Sequence, residues 1–375
     1  MATPTSVTDD EPPSPPSGKQ PRRHGGGGTA ARLAARLLMS DRFVLYLTVL
    51  LFLAVLPFIP RIASAGNFSN LLSNFWPLLV IAVGQTYVMI LGGIDLSQIS
   101  TIAVASVVGA AVMTTGVDPV LFEKTVLWGT LLDGDGAGIL AGHVWSMPAA
   151  LVLMLATGAA IGALLGTIIA RFDIPAFMMT LVGLLFFSAV AVWLTRSENI
   201  TRLPEAYGAI ADRGLFGVLS WSALIAVVVT VAAHLVLSRT VFGRWVFATG
   251  MNRRAAIVSG VPVRRVILWC FVISGVCAAI GSVLYSARLD MGRPAFGDNL
   301  NLLLDIIGAT VIGGTSLFGG RGKIIWTVYG VMLFVLLSNA LNLLNLSYFT
   351  VFIVKGCVIL AAAWLDVKRR ELLAL

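Results

Sequence analysis

The sequence predicts an all-α polytopic membrane protein of about ten transmembrane helices arranged as two packed halves. Three observations lead there. Hydrophobic residues make up 58% of the chain and charged residues only 12%, with a mean hydropathy of +0.92, whereas a soluble domain carries about 25% charge. The apolar residues gather into runs of about 20, the length that crosses a hydrocarbon core. The basic residues behind the net charge of +8 sit in the N-terminal tail and in short segments beside those runs. That is the pattern of membrane orientation, and it argues against a nucleic-acid partner.

Residues 1–28, rich in Pro, Ser and Gly, have almost nothing to place in a core and predict a disordered cytoplasmic tail. Residues 29–42 are helix-prone, with Arg32 and Arg36 four apart, and predict a helix on the membrane surface. No small-residue cleavage site closes the apolar run that follows, so no secretory signal is expected. The transmembrane domain is expected over 43–367, with spans at 43–60, 72–91, 99–115, 147–170, 176–195, 218–237, 266–286, 300–314, 324–344 and 349–366, before a cytoplasmic tail at 368–375. With the N-terminus inside, the segments on the inner side carry Arg171, the arginines of 239–265, Arg321 with Lys323, and Lys368, Arg369 and Arg370. The alternate segments are mixed or acidic, including an unusually long external insertion at 116–146 whose Leu121, Phe122 and Trp128 are expected to pack on the outer rim. The charge rule therefore closes with both termini in the cytoplasm. Span 300–314 is short and carries Asp305, and is expected as a short or broken helix, with a re-entrant segment as the alternative.

The stretch 239–265 holds six arginines (Arg239, Arg244, Arg253, Arg254, Arg264, Arg265) and no acid. It also carries helix punctuation: Asn252 to cap a first turn, Gly260 to take the left-handed position after a last turn, and Pro262 to stop continuation. Between them Ala255, Ala256 and Ser259 fall at helical spacing and form a small-residue face, open to close approach by another protein. A docking helix for a soluble partner and an ordinary basic loop both fit these residues.

Polar groups inside spans are costly and usually face a cavity or a partner. Asp305 is the clearest, with Gln85, Asn339 and Asn342 as neutral counterparts whose amides both donate and accept. Tyr87, Phe177 and Trp193 are candidates to stack on a ligand, against the alternative of lipid or packing contact. Asp95, between two spans, fits either a hinge near the pathway's inner end or a helix cap. Gly92-Gly93 and Gly313-Gly314 each close one apolar run before another, a hint of internal duplication that close helix packing explains equally well. Cys270, Cys277 and Cys357 lie in apolar runs and the three histidines are scattered, so no metal site is expected.

Three motifs occur in order: Gly92-Gly93-Ile94-Asp95-Leu96-Ser97; Gly250-Met251-Asn252 with Ala255, Ala256, Ser259, Gly260 and Val261; and Gly313-Gly314-Thr315-Ser316-Leu317-Phe318-Gly319-Gly320. Across roughly 40–367 the chain resembles the permease subunits of bacterial ABC importers in the ribose, xylose and branched-chain amino-acid superfamily. The resemblance departs at Gln98 and Ile99, where Val and Gly are expected, and at Leu303, where an acid is. It implies a subunit of the bacterial inner membrane that forms the path for a monosaccharide. Its implied partners are a separate ABC ATPase subunit, a substrate-binding protein and a second permease copy or sister permease. The second motif would be the contact for that ATPase. Gly319-Gly320-Arg321-Gly322-Lys323 has neither the spacing nor the Ser or Thr of a phosphate loop, so ATP and Mg are expected on the partner and no cofactor on this chain. A branched-chain amino-acid permease is the alternative within this class. An ion-coupled transporter has only Asp305 in its favour, and a membrane enzyme has no catalytic constellation.

Overall fold

The computed structural model describes residues 42–211, 213–215 and 219–374. The tail expected at 1–28 and all but the last residue of the surface helix expected at 29–42 lie outside them. The described helices are α1 (Phe43–Val55), α2 (Ala65–Ile90), α3 (Gln98–Met113), α4 (Ser146–Phe172), α5 (Ala176–Thr195), α6 (Trp221–Arg239), α7 (Val241–Met251), α8 (Arg253–Val258), α9 (Val263–Leu289), α10 (Leu300–Gly313), α11 (Ile324–Leu343) and α12 (Tyr348–Ala374). Shorter turns lie between some of them. Six, namely α2, α4, α5, α6, α9 and α11, are long and apolar enough to cross a membrane; α1, α3, α10 and the apolar part of α12 are shorter. Every expected span thus has its helix.

Local caps set the boundaries that hydropathy missed. The Ser64 side chain accepts from the Asn67 amide, so α2 starts at Ala65 rather than 72 and its first two turns are polar. Ser220 and Thr240 cap α6 and α7 in the same way. The stretch 239–265 therefore holds two helices, α7 and α8, where the sequence predicted one. The tail expected at 368–375 continues α12 as helix through Ala374.

Helix α9 is the packing centre, lying against α2, α3 and α4, while α10, α11 and α12 pack together and α11 also meets α2. Helix α2 thus touches both groups, and residues 42–374 pack as one unit rather than as the two halves the sequence predicts. Where α4 crosses α9, a Cβ on Gly158 would sit 2.3 Å from the Gly275 carbonyl oxygen, and one on Gly275 would sit 2.1 Å from that of Gly158. Backbone meets backbone there, the contact that small residues allow in a membrane bundle. Helices α5 and α6 are instead peripheral, exposing Val182, Leu185, Phe186, Val228 and Val231, apolar surface that suits lipid.

The insertion at 116–146 is a compact structure. Asp118 caps a short turn at Pro119–Phe122, and Asp133 accepts from the amides of Asp135 and Ala137. Phe122 is buried and Trp128 half-buried as expected, whereas Leu121 is exposed. A two-stranded antiparallel ladder, β1 (Arg213–Leu215) with β2 (Leu219–Ser220), precedes α6.

Candidate functional site

The three sequence motifs meet at one place. The Gly320 amide donates to the Ile90 carbonyl at 2.8 Å, joining the link after α10 to the last turn of α2. A Cβ on Gly319 would lie 2.8 Å from the Gly92 amide nitrogen and 2.9 Å from the Gly250 carbonyl oxygen. One on Gly250 would fall 1.8 Å from the Ile90 oxygen and 2.8 Å from the Gly320 nitrogen. Only glycine lets the three backbones approach so closely.

The α2–α3 and α10–α11 links also begin with the same turn. Gly92 donates to Met89 and Gly93 to Val88; Gly314 donates to Val311 and Thr315 to Thr310. Gly92 (φ 82°) and Gly314 (φ 108°) both take the left-handed conformation of a Schellman C-cap. The same turn also closes α8 at Gly260 and α11 at Asn345, so it is a shared helix ending and does not distinguish duplication from close packing.

Helix α8 hangs on this junction. Asn252 Oδ1 accepts from the Ala255 amide at 3.0 Å, and Gly260 closes the helix at φ 79°. The small-residue face requires correction. Ala256 is buried in one apolar cluster with Val88, Ile169, Ala170, Val263, Ile267 and Phe271, so it faces its own protein. Ala255 and Ser259 remain exposed, but the prominent outward surface is apolar: Val258 is 90% exposed, Met251 73% and Ile257 56%. Arg253 pairs with Asp173 in the α4–α5 link, and Arg254 is exposed.

Of the residues expected on a pathway, Gln85 and Asp95 belong instead to a buried knot between α2, α3 and α9. Asp95 accepts from Ser274 Oγ at 2.6 Å, from Ser97 Oγ at 2.6 Å and from the Ser97 amide at 3.0 Å. Gln98 donates to Ser274 Oγ at 2.9 Å and to the Ile81 carbonyl at 3.2 Å. In the amide orientation that satisfies its neighbours, Gln85 donates to the Asp95 carbonyl and Gln98 Oε1 and accepts from the Asp95 amide. Asp95 lies outside both helices; burial raises its pKa, opposed by the hydrogen bonds from Ser274 and Ser97. The Gln98 that departs from the family pattern is thus an integral part of the knot. Phe177 on α5 is 52% exposed and Trp193 62% exposed, both outside this knot, while buried Tyr87 donates to the Ala233 carbonyl at 2.6 Å.

Asp305, Asn339 and Asn342 do come together. At the ends of α2, α10 and α11 opposite the glycine junction lies a cavity of about 680 Å³, within the range of roughly 300–1,000 Å³ for small-molecule sites. Seven asparagines line it: Asn67, Asn70, Asn74, Asn299, Asn301, Asn339 and Asn342. Asn67 and Asn339 bond reciprocally at 3.0 and 2.9 Å, and Arg288 donates to Asn74 at 2.6 Å and Asn70 at 3.0 Å. Lys355 of α12 reaches Asp305 at 2.6 Å, with both side chains largely covered. The cavity's charges are thereby compensated and its remaining capacity is that of amides and hydroxyls. Lys355 was overlooked in the sequence, although a charge inside an expected span is itself the signal. No group of His, Cys, Asp and Glu among the described residues has the arrangement of a metal site.

A bundle of apolar helices with a polar cavity at one end, and with helix links at the other end packed on the close of α7, has the architecture of a membrane transport subunit. The chain belongs to the family described as branched-chain amino acid transport system / permease component, whose model matches residues 67–363. It is 33% identical to the ribose import permease protein RbsC of Bacillus subtilis, over 83% of this chain and 87% of that one. It is 31% identical to RbsC of Escherichia coli K12, over 83% and 88%, and 29% identical to the xylose transport system permease protein XylH of the same strain, over 82% and 87%. No solved structure matches it.

Proposed function

We propose that this protein is the permease subunit of an ATP-driven importer that carries a monosaccharide across the bacterial inner membrane. The observation that carries the reading is the glycine junction, where the end of α7, just before the docking helix α8, shares backbone contacts with the α2–α3 link and the α10–α11 link. A push on α8 is transmitted to α2 and α10, two helices that also wall the polar mouth. Both termini, α7 and α8 lie in the cytoplasm in this reading, with the mouth and the insertion at 116–146 outside. A separate ATPase subunit meets Met251, Ile257 and Val258, ATP and Mg stay on that partner, and a binding protein delivers substrate to the mouth. A second permease copy, or a sister subunit, completes the pathway.

The amide-rich mouth favours sugar over a branched-chain amino acid. A zwitterion wants a free cation and a free anion, whereas Asp305 and Lys355 satisfy each other and Arg288 is held by Asn70 and Asn74. The test is uptake of radiolabelled D-ribose, D-xylose and L-leucine by cells lacking this gene and by complemented cells. Loss and restoration of a pentose supports the reading; loss of leucine uptake alone overturns it.

A further inference from the structure

Successive residues of the α2–α3 link are held by different neighbours. Gly92 lies against Gly319 at the glycine junction, a Cβ on Gly93 would meet the Ala176 Cβ of α5 at 2.9 Å, and the Ile94 carbonyl accepts from Thr180 Oγ1 of α5 at 2.9 Å. Asp95 then reaches α9 through Ser274, at 2.6 Å. Within four residues the link thus touches the junction at one end and the packing centre of the bundle at the other.

The hydrogen bonds of that last contact run one way. Gln98 Nε2 donates to the Ile81 carbonyl at 3.2 Å, a group that can only accept, and this fixes the amide with its nitrogen toward Ser274. Ser274 Oγ accepts from Gln98 and donates its own proton to Asp95 Oδ2. Ser97 donates both its hydroxyl and its amide to Asp95 Oδ1. Both Asp95 oxygens therefore accept, as those of a carboxylate do. Among the described residues its side-chain partners are these donors, with no Lys, Arg or His. Burial opposes the charged form, while the three hydrogen bonds and the start of α3 beside them favour it. A buried charge that depends on so few donors holds each of them firmly, because losing one leaves the charge under-solvated.

We propose that Asp95 is a positioning residue for transport: its bond to Ser274 fixes the α2–α3 link to α9, so that a displacement arriving at the glycine junction carries the packing centre with it. This rests on the import reading and adds to it the contact by which link and helix move together. Ser97 bonds Asp95 from within the link and shapes only the link itself. Ser274 is the donor on another helix, and Gln98 sets the direction of its hydroxyl.

The test is the number of pentose molecules carried per ATP hydrolysed, measured in the same liposomes with the complete importer and with D-ribose and D-xylose as probes. A variant that is merely less stable loses active importers, which lowers uptake and hydrolysis together and leaves this ratio at the parent value. Ser274→Ala should lower the ratio about tenfold, as for one lost hydrogen bond to a charged group, and Ser274→Thr, which keeps the hydroxyl, should restore much of it. Ser97→Ala removes a hydroxyl from the same carboxylate but spares the bond to α9, and should keep the parent ratio. Should Ser274→Ala fail to reach the membrane, Asp95→Asn, which keeps the shape and removes the charge, is expected to lower the ratio likewise. A parent ratio in the variant measured, or equal losses in it and in Ser97→Ala, overturns the role of Asp95 and leaves the import reading standing. A parent importer that carries neither pentose overturns the import reading, and this role with it.

Discussion

The Gly250 carbon that lacks a side chain faces the Ile90 carbonyl so closely that an added Cβ would sit 1.8 Å from its oxygen. The end of α7 thereby rests on the end of α2. This contact, with the Gly320–Ile90 hydrogen bond of 2.8 Å beside it, packs the end of α7 directly against the α2–α3 and α10–α11 links.

Gly250→Ala should therefore separate α7 from α2. Overpacking against backbone costs about 1–3 kcal/mol, so the variant should melt earlier in detergent and transport poorly. An unchanged melting temperature with normal transport would show that the junction is loose.

Ala256→Trp should act from inside. Because Ala256 is buried among Ala170, Val263 and Phe271, a bulky ring there should lever α8 off the bundle at a similar cost of about 1–3 kcal/mol. Cysteine accessibility at Val263 would report the movement; an undisturbed Val263 would return Ala256 to the outward face.

Arg253→Ala removes the pair with Asp173. Both groups are substantially exposed, and such pairs contribute about 0–1 kcal/mol, so stability and ATPase retention should be nearly unchanged, as with Arg254→Ala. A large loss of stability in Arg253→Ala would mean that this pair fixes α8.

Asp305→Leu leaves the Lys355 ammonium covered and alone, which costs about 3–5 kcal/mol. The double variant Asp305→Leu/Lys355→Met should recover much of that stability in thermal melts while failing to restore transport. Additive losses would place the two side chains out of contact.

Much of this architecture is legible in the sequence, for a physical reason in each case. Apolar runs long enough to cross a bilayer can hardly be anything else, and Asn252, Gly260 and Pro262 are local signals whose meaning does not depend on the rest of the fold. The inward turn of Ala256 was not legible, because in a six-residue helix the spacing of small residues does not say which side the protein occupies. The polar mouth was legible only in part. Asp305, Asn339 and Asn342 stand out inside apolar runs, but Asn67 and Asn70 precede the expected start of their span and read as loop until Ser64 is seen capping α2. Gln85 carries the same sequence signal as the mouth residues, and Asp95 reads as a hinge or cap between spans, yet the two belong to one knot. What separates them from the mouth residues is the presence of Ser274 and Gln98 in space, and sequence alone does not supply that.

Orientation is checked by single cysteines at Ser259 and Asp133 in a cysteine-free chain. They should react with an impermeant reagent from opposite sides of the membrane. Reaction from the same side would remove the arrangement in which the mouth and the docking helix face different compartments.

The central claim is that α8 receives the ATPase through its apolar surface, and Val258, 90% exposed, is its most prominent residue. The direct measurement is ATP hydrolysis by the complete importer in liposomes, with binding protein and pentose, comparing the parent with Val258→Glu. A charge at an apolar interface anchor costs about 2 kcal/mol or more, so Val258→Glu should keep the parent melting temperature yet lose at least about tenfold of substrate-stimulated hydrolysis. A folded Val258→Glu permease that stimulates the ATPase fully would contradict the account.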